Sequence, residues 1–285
     1  MKLLKRNNEI YRKTRLLKSA IGAIIRGNVN PSITYFRYLK LKTELNEKLL
    51  ESFSRDFERL RWTLHYCFDI NSQILTLLAL EESIVIEFPD KLKFYMNHLQ
   101  DYLCAGLHYE PKTSNFFNAH IKDYKVFIDV GANIGGYSIR AAKYCKVYAI
   151  EPLPRNYKIL KINEKLNNVK INSFNIAAGN KNGKIKLYYE PGAYGTPSVK
   201  RKQNYFIEVE MKPLDEIINE ERIDLLKIDI EGAEDLVLEG ARNLLKRTKM
   251  VIIERSESFP KTYIILKEEG FKLRKFLDHN VLFTK

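Results

Sequence analysis

The sequence lacks the features that mark several specialised classes of protein. Its three cysteines, Cys67, Cys104 and Cys145, are odd in number and widely spaced, which fits neither a disulfide framework nor the paired spacing of a zinc site. The longest mostly apolar stretch, residues 74–80, is far shorter than the roughly 20 residues that span a bilayer. We recognise no signal peptide and no low-complexity linker. These absences favour a globular protein of a reducing cytoplasm.

Positive charge is present in excess and is unevenly distributed. The net charge is +13 over 285 residues, and the first 42 residues hold eleven Lys or Arg against one acid. Apolar residues recur in this segment at nearly helical spacing, which predicts a basic amphipathic helix. Such a helix suits peripheral contact with an anionic membrane surface, a lipid-linked substrate or a nucleic acid. The alternative is a solvated face whose apolar stripe packs on the rest of the protein.

The hydropathy pattern divides the chain into two regions. We predict that residues 1–83 form a basic, mainly helical accessory region, with one helix from residue 43 to about residue 80. Residues 84–285 form the main domain, which opens with two short strands around a Pro89-Asp90 turn. Residues 101–120 fit no single element. The regular core begins at about residue 120.

From Lys125 onward, predicted strands and helices alternate. The predicted core strands are KVFIDV, KVYAIE, VKINSFNIAAG, IDLLKIDI and MVIIE. Helices are predicted at 137–144, from after Pro152 and Pro154 to about 166, at LDEIINE, at 233–245 and at 261–269. KIKLYYE and YFIEVEM form an inserted antiparallel pair, and FKLRKFL with NVLFTK forms a closing hairpin. Alternation with short connections predicts a doubly wound, mostly parallel α/β sheet.

Acidic residues follow four of the predicted core strands. Parallel sheets bind ligands outside the carboxyl ends of their strands, so residues at those ends are candidates for a site. The residues found there are Asp129, Glu151, Asp229 with Glu231, and Glu254. Together they predict an acidic rim and a ligand that carries positive charge or several hydroxyl groups.

A glycine-containing loop follows the first core strand and narrows the choice of ligand. DVGANIGG contains Gly131, Gly135 and Gly136, which allow a tight turn into the next helix. Asn133 stands where a dinucleotide fingerprint has the glycine that admits a pyrophosphate. Glu151 follows Gly131 by twenty residues and suits the two hydroxyl groups of a ribose. The loop and the acid together predict a ribonucleoside ligand without a diphosphate.

These motifs occur together in one known family. FIDVGANIGGYS, AIEPLPRNYKIL, NIAAGNKNGKIKLY, PLDEI and LLKIDIEGAEDLVLEGA resemble, in order and spacing, the FkbM family of S-adenosylmethionine-dependent methyltransferases. The resemblance begins at about residue 84 and covers about two thirds of the chain. It implies a class I methyltransferase fold, a Rossmann-like seven-strand sheet whose last strand is antiparallel. It also implies O-methylation of sugars or natural products.

The resemblance implies roles for individual residues around S-adenosylmethionine. Asp129, Gly131, Asn133 and Gly135 match the cofactor loop of the family and are expected to approach the methionine part. Glu151 is expected at the ribose. Asn175, or the backbone near Ala177 and Ala178, is expected beside the adenine. Class I enzymes often have an acid at the place of Asn175, so this residue departs from the common pattern.

Three acids and a lysine are the candidates for the chemical step. Asp229 and Glu231 are the first candidates for the general base that takes the hydroxyl proton, and Glu254 is the third. Lys227 alternates onto the same face of its strand. A bound Mg²⁺ that polarises the hydroxyl is the alternative, and Lys227 disfavours it by neutralising the acids. Lys227 with Asp229 also fits a purely structural buried ion pair, and Glu231 fits a charge at a helix N-terminus.

Three functions fit the sequence. The first is O-methylation of a glycan, a lipid-linked sugar or a similar polar molecule. The second is an RNA methyltransferase that uses the basic N-terminal segment to contact phosphates, although no RNA-binding module is recognisable. The third is a non-catalytic binding protein built on the same fold. The glycine-rich loop PGAYGTPSV and His279 in the last hairpin turn are placed to contact an acceptor.

Overall fold

The computed structural model describes residues 83–107, 110–189, 194–203 and 205–285. The predicted basic helix of residues 1–42 and the predicted helix of residues 43–80 lie outside the described residues. Val85–Met96 and Gln100–Lys285 together form one compact unit. None of its helices is both long enough and apolar enough to cross a membrane, within the part of the chain that is described.

Strands and helices follow one another in the order that the hydropathy pattern predicts. The strands are β1 (Ile84–Glu87), β2 (Lys93–Met96), β3 (Val126–Val130), β4 (Lys146–Ile150), β5 (Asn172–Phe174), β6 (Ala177–Ala178), β7 (Gly183–Tyr189), β8 (Tyr205–Lys212), β9 (Ile223–Ile228), β10 (Thr248–Glu254), β11 (Lys272–Leu277) and β12 (Asn280–Thr284). The α-helices are α1 (Leu99–Gly106), α2 (Pro111–His120), α3 (Gly136–Ala141), α4 (Pro154–Leu166), α5 (Leu214–Ile217), α6 (Glu234–Glu239), α7 (Arg242–Lys246) and α8 (Phe259–Glu268). The segment of residues 101–120, which fitted no single element, contains most of α1 and all of α2.

A seven-stranded sheet forms the centre of this unit. Its strand order is β11-β12-β10-β9-β3-β4-β5. Strands β10, β9, β3, β4 and β5 are parallel to their neighbours, whereas β12 is antiparallel to both β10 and β11. This arrangement confirms the predicted doubly wound sheet with an antiparallel last strand. The carboxyl ends of the five parallel strands therefore lie along one edge.

Successive side chains of β3 pack on opposite faces of the sheet, and both faces are covered. Val126, Ile128 and Val130 belong to the core cluster that contains the buried residues of α6, α7 and α8. Phe127 points to the opposite face, where its ring packs 5.2 Å from the ring of Phe117 in α2. All five residues of β3 are buried. A strand that is covered on both faces requires such an unbroken run of buried side chains.

Smaller strand pairs flank the central sheet, as predicted. β1 and β2 pair across the Pro89-Asp90 turn. β7 and β8 form an antiparallel pair with Gly183 opposite Met211 and Tyr189 opposite Tyr205. β6 adds to this pair as a third strand, parallel to β8. The predicted pairing of β1 with β2 and of β7 with β8 is thus confirmed.

The prediction of one continuous third core strand was wrong. The chain forms β5, which pairs with β4, and then β6, which belongs to the three-stranded sheet. Asn175 lies at the break, and its side-chain nitrogen donates hydrogen bonds to the backbone oxygens of Glu151 and Pro152. These bonds hold the chain at the end of β4 while it changes from one sheet to the other.

The predicted helix of residues 233–245 is interrupted at Gly240. The carbonyl oxygen of Gly240 accepts a hydrogen bond from the backbone N–H of Asp215 instead of continuing the helical ladder. A Cβ atom at this position would lie 1.9 Å from the backbone oxygen of Gly179, so only glycine fits. The carboxylate of Asp215 then accepts hydrogen bonds from the backbone of Asn243 and Leu244. These contacts end α6 and begin α7.

Asn163 on α4 links the front hairpin to the loop after β3. Its side-chain oxygen accepts a hydrogen bond from the backbone N–H of Tyr95 at 2.7 Å, and its side-chain nitrogen donates to the backbone oxygen of Ile134 at 2.9 Å. The side chain is fully buried. Asn163 therefore fixes two segments that border the carboxyl edge of the sheet.

We expect Asn163→Ala to lower the free energy of unfolding by about 2 kcal/mol, because burying polar groups without partners costs about 1–3 kcal/mol each. Urea unfolding monitored by circular dichroism measures this difference. Asn182→Ala, which removes an exposed hydrogen bond to Glu216, is the control and should leave the midpoint nearly unchanged. Equal midpoints for the two variants would show that Asn163 does not hold these segments.

Candidate functional site

A cavity of about 560 Å³ opens at the carboxyl ends of β3, β4 and β9. The space is open to solvent on one side. The polar part of its wall includes Glu151 and Asn156, and the apolar part includes Ala177, Ala178 and Leu187. We call this space the first cavity. It lies where the strand-end carboxylates predicted a ligand.

Glu151 lies in the wall of the first cavity and also shapes it. One carboxylate oxygen accepts a hydrogen bond from the backbone N–H of Asn133 at 2.8 Å, and the other accepts from Leu153 at 2.9 Å. Burial raises the pKa of Glu151 to about 7, although both hydrogen bonds favour the charged form. The side chain of Asn156 gives a third hydrogen bond, so about one acceptor site of the carboxylate is left for a ligand hydroxyl.

The loop after β3 approaches β9 too closely for any residue but glycine. Gly131 has a φ of +86°, and a Cβ atom there would lie 1.9 Å from the backbone oxygen of Asp229. Asn133 also adopts a left-handed conformation, with a φ of +51°. Both residues line the first cavity. The glycine at this place thus brings the backbone of two strand ends into contact.

The glycine-rich loop before β8 covers part of the first cavity. Gly195, Pro197 and Val199 lie in its wall. The backbone oxygen of Tyr194 accepts a hydrogen bond from the side-chain nitrogen of Asn156 at 2.7 Å. The hydroxyl group of Ser198 donates to the backbone oxygen of Glu231 at 2.7 Å. The loop is therefore attached on both sides of the cavity.

A second cavity, of about 870 Å³, adjoins the first. The residues that line both cavities are Gly131, Asn133, Gly195, Asp229 and Glu231. The residues that line only the second are Gln100, Leu103, Cys104, Glu110, Thr196, Glu254, His279 and Asn280. A ligand in the first cavity and a ligand in the second would thus meet at the ends of β3 and β9. His279, in the turn of the last hairpin, also lies in the wall of the second cavity.

Four carboxylates line the second cavity, and basic side chains lie close to Glu110, Asp229 and Glu231. The Lys227 ammonium lies 2.8 Å from a carboxylate oxygen of Asp229. Arg201 lies 2.9 Å from a carboxylate oxygen of Glu231. Glu254 accepts a hydrogen bond from the backbone N–H of Glu231 at 3.2 Å, and the charges that act on it come from acids. It is the least compensated of the three predicted candidates.

Burial and mutual repulsion change the proton affinity of these acids. Burial, with the charges of Asp229, Glu231 and Glu234, raises the pKa of Glu254 to about 9. Burial and Asp229 also raise the pKa of Glu231, and Arg201 opposes this change. The free protein therefore keeps Glu254 protonated at neutral pH. A cation bound nearby would favour its ionised form.

Lys227 lies behind the wall of the second cavity and is fully buried. Besides Asp229, it lies 4.0 Å from Glu110 and 4.8 Å from the centre of the Tyr137 ring. Burial alone would discharge it, but Asp229, Glu110 and Asp129 together raise its pKa above the ordinary value. Within IDLLKIDIEG, Lys227 and Asp229 thus form an ion pair at the wall of the second cavity.

The structure separates the predicted residues into two groups. Seven of them line a cavity: Gly131, Asn133, Glu151, Ala177, Asp229, Glu231 and Glu254. Asp129 and Gly135 do not line either cavity. Asp129 accepts a hydrogen bond from the hydroxyl of Ser138 at 2.6 Å, and Gly135, with a φ of +96°, begins α3. Asn175 is likewise absent from the walls, because its side chain bonds to the chain after β4.

Sequence reasoning missed several polar residues of the cavity walls. Asn156 follows the predicted strand end by five positions, and its place at the start of a helix was a usable signal. Glu110 comes from the segment that fitted no single element, Gln100 lies one residue before that segment, and Asn280 comes from the last strand. No local pattern connects these three positions with the site.

Metal ligation was the alternative to a metal-free site. Among the described residues, no group of three or more His, Cys, Asp or Glu side chains is arranged to hold a metal ion. The Lys227–Asp229 contact occupies one of the two acids that the alternative required.

Comparison with known proteins places the chain among methyltransferases. Residues 129–273 match the model of the methyltransferase FkbM domain. The methyltransferase sdnD of Sordaria araneosa is 26% identical over 200 residues, which cover 55% of this chain and 77% of that protein. Methyltransferase 1 of Beauveria bassiana is 23% identical over 227 residues, covering 68% of this chain and 90% of that protein.

Two solved structures are similar to parts of this chain. A methyltransferase FkbM from Methylobacillus flagellatus KT is 20% identical, with 57% of this chain and 44% of that chain covered and a TM-score of 0.41. The present chain thus spans less than half of that chain's length. The 16S rRNA methyltransferase RsmC of T. thermophilus, solved with AdoMet and guanosine, is 12% identical, with 72% and 50% covered and a TM-score of 0.43.

We expect Glu254→Gln to stabilise the cofactor-free protein at alkaline pH. The folded-state pKa of about 9 lies above the unfolded value of about 4.3, so the folded protein binds more protons and loses stability as pH rises towards 9. Wild type and variant should melt alike near pH 5, and the variant should melt a few degrees higher near pH 9, at about 2–4 °C per kcal/mol. Thermal unfolding by circular dichroism from pH 5 to 9 tests this.

Glu208→Gln, which alters an exposed acid on β8, is the control and should follow the wild-type curve. Parallel curves for all three proteins would contradict the inferred environment of Glu254.

Proposed function

Because the chain belongs to the FkbM methyltransferase family, we propose that it transfers the methyl group of S-adenosylmethionine to a hydroxyl oxygen of a glycan or a similar polar molecule. The observation that carries this proposal is the pair of adjoining cavities. One has a ribose-binding acid and small apolar walls, and the other has acids that suit a hydroxyl-bearing acceptor. The two cavities meet at Asp229 and Glu231, where the two substrates would react.

The residues of the first cavity fit S-adenosylmethionine. Glu151 would accept a hydrogen bond from a ribose hydroxyl, as the acid after the second strand does in related α/β sites. Ala177, Ala178 and Ile150 line this cavity with apolar side chains, against which the adenine would pack. Gly131 provides a backbone surface that a Cβ atom would disrupt. When bound, the cofactor supplies a methyl carbon on a sulfonium, which is a strong electrophile.

Glu254 is the residue best placed to accept the proton of the acceptor hydroxyl. Lys227 is ion-paired with Asp229, and Arg201 is ion-paired with Glu231. Glu254 is paired with neither cation. Its pKa is raised in the free protein, and the sulfonium charge of a bound cofactor would favour the ionised form, which is the form that accepts a proton. A base with a pKa near the working pH is the most effective. Positioning by the remaining wall then orients the oxygen towards the methyl carbon.

The charge of the second cavity favours an uncharged or cationic acceptor over a phosphate-rich one. Four carboxylates would repel the phosphates that flank a nucleotide of RNA. We therefore propose glycan-like acceptors rather than RNA. Contact with an anionic membrane through residues 1–42, and with it a lipid-linked form of the acceptor, remains a prediction for a segment outside the described residues.

We expect Glu151→Ala to weaken the binding of S-adenosylmethionine at least tenfold, or about 1.4 kcal/mol. The variant loses the acceptor for the ribose hydroxyls and the bond that holds Asn133. Calorimetric titration of the full chain measures the change. Glu151→Gln, which keeps one acceptor oxygen, should lose less affinity, and Glu208→Ala should lose none. Wild-type affinity in Glu151→Ala would rule out the first cavity as the ribose site.

We expect Glu254→Gln to lower kcat by about 100-fold or more while leaving the affinity for S-adenosylmethionine within about twofold, in line with the usual contribution of a general base. Radiometric methyl transfer to a glycan acceptor gives kcat, and calorimetry gives the affinity. Glu231→Gln, whose acid is already paired with Arg201, should retain more activity than Glu254→Gln. The reverse order would assign the base to Glu231.

A further inference from the structure

The turns after β9 and β10 carry two acids of the second cavity. Glu231 lies in the first turn with a φ of +60°, and Gly232 follows it with a φ of +107°. Glu254 ends β10, and its carboxylate accepts a hydrogen bond from the backbone N–H of Glu231 at 3.2 Å. A residue other than glycine in the left-handed region is unfavourable and persists only where its surroundings hold it. The contact between the two acids therefore depends on the groups that fix these turns.

Glu234, the first residue of α6, contacts both turns. One of its carboxylate oxygens accepts a hydrogen bond from the backbone N–H of Gly232 at 2.9 Å. The other oxygen accepts hydrogen bonds from the hydroxyl groups of Ser256 and Ser258, in the turn that follows Glu254. The Ser256 hydroxyl also accepts a hydrogen bond from the backbone N–H of Ser258 at 3.2 Å. Glu234 thus bridges the ends of two neighbouring strands with one carboxylate.

The burial of Glu234 makes these hydrogen bonds important. The residue is 0% exposed, a position in which acids are rare unless their oxygens have partners. An ionised carboxylate only accepts hydrogen bonds and offers two oxygens, so it serves donors from two chain segments at once. An apolar side chain in its place would leave the N–H of Gly232 and two hydroxyl groups without their acceptor, at a cost of about 1–3 kcal/mol each.

Glu234 lies behind the site rather than in it. Glu231 lines both cavities and Glu254 lines the second, whereas Glu234 lines neither. Burial is the main reason for the raised pKa of Glu254, and the charge of Glu234 adds to it, which shows that the two acids are close. Glu234 is therefore placed to act on the site through Glu231 and Glu254.

We propose that Glu234 is a positioning residue for methyl transfer. It joins the turns after β9 and β10 and thereby keeps the carboxylate of Glu254 against the backbone of Glu231, beside the junction of the two cavities. This inference rests on the proposed function for the role of Glu254 as the general base. Because a small displacement of a catalytic group is costly to the rate, loss of the bridge lowers turnover more than it lowers cofactor binding.

Three variants of the full chain separate the bridge from the charge of Glu234. Glu234→Ala removes both. Glu234→Gln removes the charge but keeps the bridge, because its amide oxygen can accept from Gly232 and its amide nitrogen can donate to the serine hydroxyls, which also accept hydrogen bonds. The double variant Ser256→Ala/Ser258→Ala keeps the charge and breaks the bridge on the β10 side. It gives the same test as Glu234→Ala with the buried acid in place.

Hydrogen exchange of the Glu231 amide, measured by NMR, tests the bridge without any acceptor. Exchange reports local opening, so we expect it to be about tenfold faster or more in Glu234→Ala and in the double serine variant. In Glu234→Gln it should stay within about threefold of the wild-type rate, because both turns keep their hydrogen bonds. Wild-type exchange in Glu234→Ala or in the double serine variant would overturn the proposal.

Radiometric methyl transfer from S-adenosylmethionine to glucose, galactose and N-acetylglucosamine tests the effect on turnover. We expect Glu234→Ala and the double serine variant to lower kcat about tenfold or more, and Glu234→Gln to restore most of it at its own optimum pH. Calorimetry should give an affinity for S-adenosylhomocysteine within about twofold of wild type. Glu239→Gln, an acid on the same helix that pairs with Lys261 at 2.7 Å, is the matched control and should behave as wild type.

The two measurements separate this inference from the proposed function. No methyl transfer to any of these sugars by the wild-type chain would contradict the proposed function, while the exchange rates would still decide whether Glu234 holds the contact between the two acids. Methyl transfer with wild-type kcat in Glu234→Ala would support the proposed function and overturn the positioning role. An equal loss of kcat and of cofactor affinity would also overturn it, because that result indicates general damage to the fold.

Discussion

The buried Lys227 ammonium is the contact on which the rest of the site depends. It lies at the end of β9, paired with Asp229 at 2.8 Å, and Glu110 at the start of α2 lies 4.0 Å away. Asp129 occupies the register position beside it on β3. An unpaired charge at this depth would cost several kcal/mol, so lysine and acids stabilise one another only together. They thereby fix two central strands and one helix.

This arrangement determines which acids remain available at the carboxyl edge of the sheet. Lys227 forms an ion pair with Asp229, and Arg201, from the loop before β8, forms one with Glu231. Glu254 at the end of β10 is left among acids, with its pKa raised to about 9. Ion pairing thus neutralises Asp229 and Glu231 and holds them in place. Glu254 keeps a high proton affinity and is the group able to exchange a proton. Electrostatics therefore divides chemically identical residues into different roles.

Much of the fold and part of the site were predictable because their signals are local. Apolar runs ending in Asp129, Glu151, Asp229 and Glu254 indicated parallel strands, and the five strands lie side by side with these ends at one edge. Gly131 was predictable because only glycine allows the loop to approach Asp229. The break between β5 and β6 was missed, because hydropathy does not show when a chain leaves one sheet for another. Gly240 was read as helical, because its contact with Gly179 is distant in sequence.

The sequence by itself determined the order of the strands and helices, the glycine turn and the acids at the strand ends. Each of these features depends on side-chain alternation or on backbone conformation within a few residues. Only the tertiary structure decided which acid is paired and which residues complete the walls. Glu110 and Asn280 are 170 positions apart and yet share a hydrogen bond. Asp129 faces Ser138 rather than the cavity. Pairing and burial are properties of distances between separate elements, and spacing along the chain does not encode them.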